Sequence, residues 1–205
     1  MAETKARLPF ASVMRVTSPY GRRLDPITGE VSRHGGIDLV GVDGRIVAVM
    51  GGVVAVSQMV VDRNDRTWEW GNYVCVLGDD GHYVYYCHMA ERSVRAGERV
   101  EAGQLLGYMG STGRSTGTHL HLEVRTAQNQ TVNAAEYLGI ANEAGTVVAP
   151  ADADSDPSPW AREAVEWAQA AGILYGDGSG GLHLREACTR EMALTFLWRA
   201  LGVGR

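Results

Sequence analysis

Apolar and polar residues alternate in short runs over the first two thirds of the chain. Leu120, Leu122 and Val124 interleave with His119, His121 and Glu123. A period of two predicts a strand with one core face and one polar face. Ile46-Val47-Ala48-Val49 and Val53-Val54-Ala55-Val56 are compact apolar runs split by Gly51-Gly52. Tyr73-Val74-Cys75-Val76-Leu77 and His82-Tyr83-Val84-Tyr85-Tyr86 flank Gly78-Asp79-Asp80-Gly81, which predicts a hairpin. Helical periods are scarce here. After a lead-in over residues 1–16, residues 17–141 predict a mainly antiparallel, sandwich-like β domain.

The pattern then changes. Residues 142–156 end in Ala151-Asp152-Ala153-Asp154-Ser155-Asp156, small and acidic, with Pro157 and Pro159 just beyond, which reads as a linker. In residues 157–205, Ala161, Ala164, Val165, Ala168 and Ala171 recur at helical spacing, and Gly172 is placed to stop the helix. A glycine-rich loop follows at residues 176–181. Thr189 is placed to N-cap a second helix carrying Met192, Phe196, Leu197 and Leu201. The tail therefore predicts a small all-α helix–loop–helix domain, marginal in burying a core alone.

Composition narrows the function classes. The chain has 205 residues, 45% hydrophobic and 21% charged, ordinary values for a globular protein. A net charge of −5 argues against holding nucleic acid by bulk charge. No stretch approaches the roughly 20 apolar residues of a membrane span, so no membrane insertion is expected. The 26 glycines, mostly before position 120, fit tight turns between short strands. Cys75, Cys87 and Cys188 show no CxxC spacing and read as reduced thiols. Met1 to Arg7 are not followed by an apolar stretch, which reads as no signal peptide and synthesis in a cytoplasm.

Three short motifs carry chemistry. His34-Gly35-Gly36-Ile37-Asp38 separates an imidazole from a carboxylate by four residues. An extended segment with that spacing presents both on one face, and both ligand types suit zinc. His119-Leu120-His121 puts two imidazoles on one side of a strand, costly unless each is hydrogen-bonded or bound to metal. Tyr86-Cys87-His88-Met89 ends the hairpin strand; Cys87 alternates with His88 and is expected to face away from it. His82 and His183 fall outside these motifs.

In this order, within a glycine-rich β domain, the motifs resemble the lysostaphin-type zinc endopeptidases, which cut peptide bonds in bacterial peptidoglycan. The resemblance spans residues 18–138. It includes Ser18-Pro19-Tyr20-Gly21-Arg22-Arg23, Asp25-Pro26-Ile27-Thr28-Gly29, Gly71-Asn72-Tyr73-Val74, Gly110-Ser111-Thr112-Gly113 and Thr118-His119-Leu120-His121-Leu122-Glu123. It implies one catalytic zinc ion held by His34, Asp38 and His121, with a water in the fourth position. His88 and His119 would be the catalytic pair, replacing a general-base glutamate. Asn72 and Tyr86 would border the substrate cleft, and peptidoglycan would be the partner.

The tail resembles one S-layer-homology repeat through Trp160-Ala161-Arg162-Glu163-Ala164-Val165, Gly172-Ile173-Leu174-Tyr175-Gly176-Asp177-Gly178 and Thr189-Arg190-Glu191-Met192. That implies anchoring to cell-wall polysaccharide. A homo-oligomerisation unit is its plain alternative. The expected absence of a signal peptide, with lytic chemistry and a small binding tail, suggests a phage-type endolysin, made in the host cytoplasm and acting on the wall after release. The alternative is a non-catalytic wall-binding or regulatory protein on the same fold. Residues 94–107 also resemble biotinyl and lipoyl carriers, but the only lysine, Lys5, stands far from any attachment turn.

Overall fold

The structure is a computed structural model that describes residues 6–10, 13–65, 67–147 and 162–171. The chain divides into two compact units, Met1–Ala149 and Pro150–Arg205.

The first unit is built almost entirely of antiparallel strands. In chain order they are β1 (Met14–Ser18), β2 (Gly21–Leu24), β3 (Val31–His34), β4 (Ile37–Gly41), β5 (Arg45–Val47), β6 (Gly52–Met59), β7 (Asn72–Gly78) and β8 (Tyr83–Cys87). Then come β9 (Glu91–Arg92), β10 (Arg99–Val100), β11 (Leu105–Tyr108), β12 (Leu120–Arg125), β13 (Thr131–Val132), the short helix α1 (Ala134–Leu138) and β14 (Gly145–Val147). The main sheet runs β10-β6-β7-β8-β12-β4-β1-β14, with β13 pairing β12. A second sheet is ordered β5-β11-β9, and β2 pairs β3 in a separate hairpin.

The expected hairpin is β7 and β8, with Val74 opposite Tyr86 and Val76 opposite Val84. The expected alternation on β12 also holds. Leu120, Leu122 and Val124 are fully buried, and Ile37 and Leu39 of β4 join them in the core. Ile46 and Leu106 of the second sheet belong to the same core, so one face of the main sheet is sealed. The opposite face, where His121 and Glu123 stand, is free to carry polar side chains.

The sheet draws in residues from both expected flanks. Met14 and Val16, placed in the lead-in, are buried strand residues of β1. Residues 145–147, placed in the linker, pair with β1 as β14. A three-residue edge strand carries too little pattern to be seen in sequence, because backbone pairing alone holds it.

In the second unit the described residues form one helix, α2 (Arg162–Ala170). It matches the expected first helix of the tail, with Trp167 exposed. The glycine-rich loop and the second helix lie outside the described residues. No helix among the described residues is long and apolar enough to cross a membrane.

Leu122 lies at the centre of the core beneath the polar face. Leu122→Ala should lower unfolding free energy by about 2–5 kcal/mol, measured by urea denaturation.

Candidate metal centre and active site

The site is assembled on the polar face of the main sheet from three neighbouring strands and two loops. Asp38 of β4 and Cys87 of β8 stand directly opposite His121 of β12, from either side. Directly opposed residues in an antiparallel pair share a face. Asp38, His121 and Cys87 thus form one row across the sheet.

His34 reaches this row differently from the sequence expectation. It does not share a continuous strand with Asp38. It ends β3, in the separate hairpin, and Gly35-Gly36 turns the chain into β4. Gly36 makes the turn possible. A Cβ there would lie 2.5 Å from the Leu122 carbonyl oxygen and 2.8 Å from the His121 ring.

Three ligand atoms converge. Asp38 Oδ1 lies 2.9 Å from His121 Nδ1 and 3.1 Å from His34 Nε2, and the two nitrogens are 3.0 Å apart. Tetrahedral ligands at bonds of about 2.0–2.1 Å stand ~3.3 Å from one another, so small outward shifts admit an ion. His34, Asp38 and His121 form a group whose ligand atoms all lie within 4.8 Å of one another.

The far side of each ligand is held. His34 Nδ1 lies 2.8 Å from the Pro19 carbonyl oxygen, which can only accept, so Nδ1 carries the proton and Nε2 the lone pair. Glu123 Oε2 lies 3.4 Å from His121 Nε2, which fixes the opposite tautomer and frees Nδ1. Arg23 Nη1 donates to Asp38 Oδ2 at 2.8 Å, leaving Oδ1 to face the imidazoles. Glu123 is itself held by Arg125, whose guanidinium lies over the rings of Trp70 and Tyr85.

His88 and His119 flank this centre. The His88 ring centroid is 4.7 Å from that of His119 and 5.8 Å from that of His121. His119 Nε2 lies 3.6 Å from Asp38 Oδ1. Both rings donate Nδ1–H to carbonyls of the loop at residues 110–117: His88 to Thr112 and His119 to Gly117, each at 2.8 Å. Both therefore keep an Nε2 lone pair.

Electrostatics follow from this packing. Burial alone would raise the Asp38 carboxyl, but hydrogen bonds with His121 and His34 hold it far below the usual carboxylate range. Burial would lower His121, yet its bonds to Asp38 and Glu123 push it up to about 9 in the metal-free protein. Burial, reinforced by His121 and His119, pushes His88 down to about 3.

Two expectations need correction. Tyr86 does not border the cleft. It is fully buried on the core face, and its hydroxyl accepts a hydrogen bond from the Val49 amide at 2.9 Å. Cys87 does not face away from the site. It lies on the same face as His121, buried beside Val60, Tyr73 and Cys75. Alternation fails there because His88 has φ 63, a left-handed conformation that swings its ring out of strand register. Asn72 is buried at the root of the site: its backbone amide donates to Thr112 Oγ1, and its side-chain Nδ2 donates to the Ala90 carbonyl.

Arg23, Glu123 and Arg125 were assigned no role from sequence. Glu123 could have been found, since it shares the period-two face of His121. Arg23 could not, because its contact with Asp38 crosses between sheets.

The chain belongs to peptidase family M23, whose family model matches residues 32–134, half of the chain. An S-layer homology domain model matches residues 151–191. The peptidoglycan DD-endopeptidase ShyC of Vibrio cholerae is 38% identical over 110 residues, 53% of this chain and 24% of that protein. The DD-carboxypeptidase/endopeptidase Mpg of Neisseria meningitidis is 36% identical over 111 residues, 54% of this chain and 24% of that protein. The chain thus matches about a quarter of the length of these curated relatives. Among solved structures, the catalytic domain of lysostaphin from Staphylococcus simulans aligns with TM-score 0.50 and 26% identity, covering 59% of this chain and 89% of that one. A zinc-containing peptidase from Vibrio cholerae aligns with TM-score 0.52 and 27% identity, covering 68% of this chain and 41% of that one.

Two outcomes test the site. A cation at His121 Nδ1 must displace a proton held up to about pH 9, whereas Asp38 is already ionised. Affinity for a divalent cation should therefore fall by close to tenfold for each unit of pH lowered from 8 to 6, read by competition with a chromogenic chelator. Gly36→Ala should abolish stoichiometric metal binding through its collision with the His121 ring, measured by metal analysis after dialysis.

Proposed function

We propose that this chain is a zinc-dependent endopeptidase that hydrolyses the peptide crosslinks of bacterial peptidoglycan. One observation carries the reading. Each of five side chains, His34, Asp38, His88, His119 and His121, has its outer polar atom bonded to the scaffold. That arrangement leaves a lone pair of each for the common centre. Three of them make an open N,N,O ligand set of the kind used by catalytic zinc, and two remain for proton transfer. Membership of family M23 and the peptidoglycan endopeptidases among its relatives support the same substrate class.

When bound, zinc lowers the pKa of water and polarises the scissile carbonyl. The protein supplies the rest. His119, partly open to solvent, takes the proton of the attacking water through Nε2. The proton that His119 takes from the water is the one it returns to the leaving amine, so none is gained or lost. His88, kept neutral by its burial, faces the same centre with its Nε2 lone pair and accepts a hydrogen bond from the attacking water. Thr112 and Gly117 keep both imidazoles in the tautomer this needs.

The bond proposed is that between D-alanine and a diamino acid; a glycine bridge is the competing substrate. The S-layer homology match motivates attachment of the second unit to wall polysaccharide, or self-association. Lytic chemistry joined to a small wall-binding unit further motivates the phage-type endolysin: the protein accumulates in the cytoplasm and reaches the wall once the membrane is breached. Cells expressing it should stay intact until permeabilised and then lyse; lysis that depends instead on an export pathway contradicts this part.

Purified peptidoglycans of several crosslink types should be digested with and without chelator and the new ends identified by mass spectrometry. Ends that vanish with chelator and return with zinc are the expected result. No cleavage of any wall by zinc-loaded protein contradicts the reading and favours a non-catalytic wall-binding role. His88→Ala and His119→Ala should keep zinc while kcat falls on the order of 10²- to 10⁴-fold. Asp38→Ala and His121→Ala should lose both zinc and activity.

A further inference from the structure

The loop at residues 110–117 carries the carbonyl acceptors of both flanking imidazoles, but its two halves are anchored differently. Its first half is tied to the sheet. Thr112 Oγ1 donates to the Met89 carbonyl and accepts from the Asn72 amide. Gly113 sits so tightly against Gly71 that a Cβ at Gly113 would meet the Gly71 nitrogen at 2.5 Å. The second half, which presents the Gly117 carbonyl to His119, is tied through Ser115: its hydroxyl donates to Gly117, pairs with Ser111 of the first half and lies 3.4 Å from His119 Nδ1. Between the halves stands Arg114. Its Nη2 lies 2.9 Å from both oxygens of Asp25, across 89 residues of sequence. Its backbone amide donates to the Glu69 carbonyl.

Asp25 is built to receive it. Asp25 Oδ1 accepts the amides of Ile27 and Thr28 in the turn between β2 and β3, and the residue is buried. Those amides, and then Arg114, hold its carboxyl down to about 2, so the pair remains charged near neutral pH. The same hairpin contributes Arg23 to Asp38 and His34 to the ligand set.

We propose that Asp25 and Arg114 are a positioning pair: they fix the outer half of the 110–117 loop to the β2–β3 hairpin and so orient His119, while His88 is oriented independently through Thr112. This rests on the proposed role of His119 for its kinetic consequence, but not for its geometry. Misplacing a proton-transfer group by about an ångström costs on the order of 100-fold in rate.

The test uses the full-length, zinc-loaded protein labelled with ¹⁵N-histidine, comparing wild type with Arg114→Met, Arg114→Lys and Asp25→Asn. Asp25→Asn preserves the caps to Ile27 and Thr28, so it decides the matter if Arg114→Met does not fold. The expected result is loss or exchange broadening of the His119 Nδ1–H signal with the His88 signal retained. In the same variants kcat should fall 10- to 100-fold with KM within about twofold and zinc content unchanged, and Arg114→Lys should recover part of both. Retention of the His119 signal, or loss of both signals in a folded variant, overturns the proposal. If wild type cleaves no wall, the proposed function fails, and the two imidazole signals still decide the positioning claim.

Discussion

A carboxylate buried on a β-sheet is expensive unless charge and hydrogen bonds surround it. Asp38 is that carboxylate, and the arrangement around it explains most of what the polar face does. His34 and His121 approach one oxygen, while Arg23 holds the other. In the metal-free protein the high affinity of His121 for a proton balances the carboxylate's charge. A divalent cation supplies the same compensation more strongly. The bonds that hold the carboxylate thus also aim the ligand atoms of both imidazoles at one point.

The core makes that organisation possible. Leu120, Leu122 and Val124 anchor β12 on one face, and the pleat then places His121 and Glu123 on the other. Asp38 follows by register from β4, and Gly36 removes the side chain that would push His121 aside. Sheet register and one close approach thus set the metal-facing atoms, while backbone carbonyls of Pro19, Thr112 and Gly117 set the tautomers. The hairpin of β2 and β3, which among the described residues pairs only with itself, supplies Arg23 and His34 from the side.

Much of this was legible in sequence because it rests on periodicity. The β12 alternation, the β7–β8 hairpin and the spacing of His119 and His121 are all patterns of side chains. What stayed hidden rests on backbone. No residue type announces that the Gly117 carbonyl accepts from His119, or that Pro19 fixes His34. The left-handed conformation of His88 reversed the expected facing of Cys87. The family resemblance placed Tyr86 beside the cleft, yet its partner is the Val49 amide on the core side. The family resemblance pointed to the ligand set, and the geometry adds why each ligand presents one particular atom.

The most direct test is a crystal structure of the zinc-loaded protein with anomalous data collected on both sides of the zinc absorption edge. The account predicts one ion bonded by His34 Nε2, Asp38 Oδ1 and His121 Nδ1, with the Nε2 atoms of His88 and His119 facing it unbonded. An ion bonded by His88 or His119, or by His121 through Nε2, would contradict it.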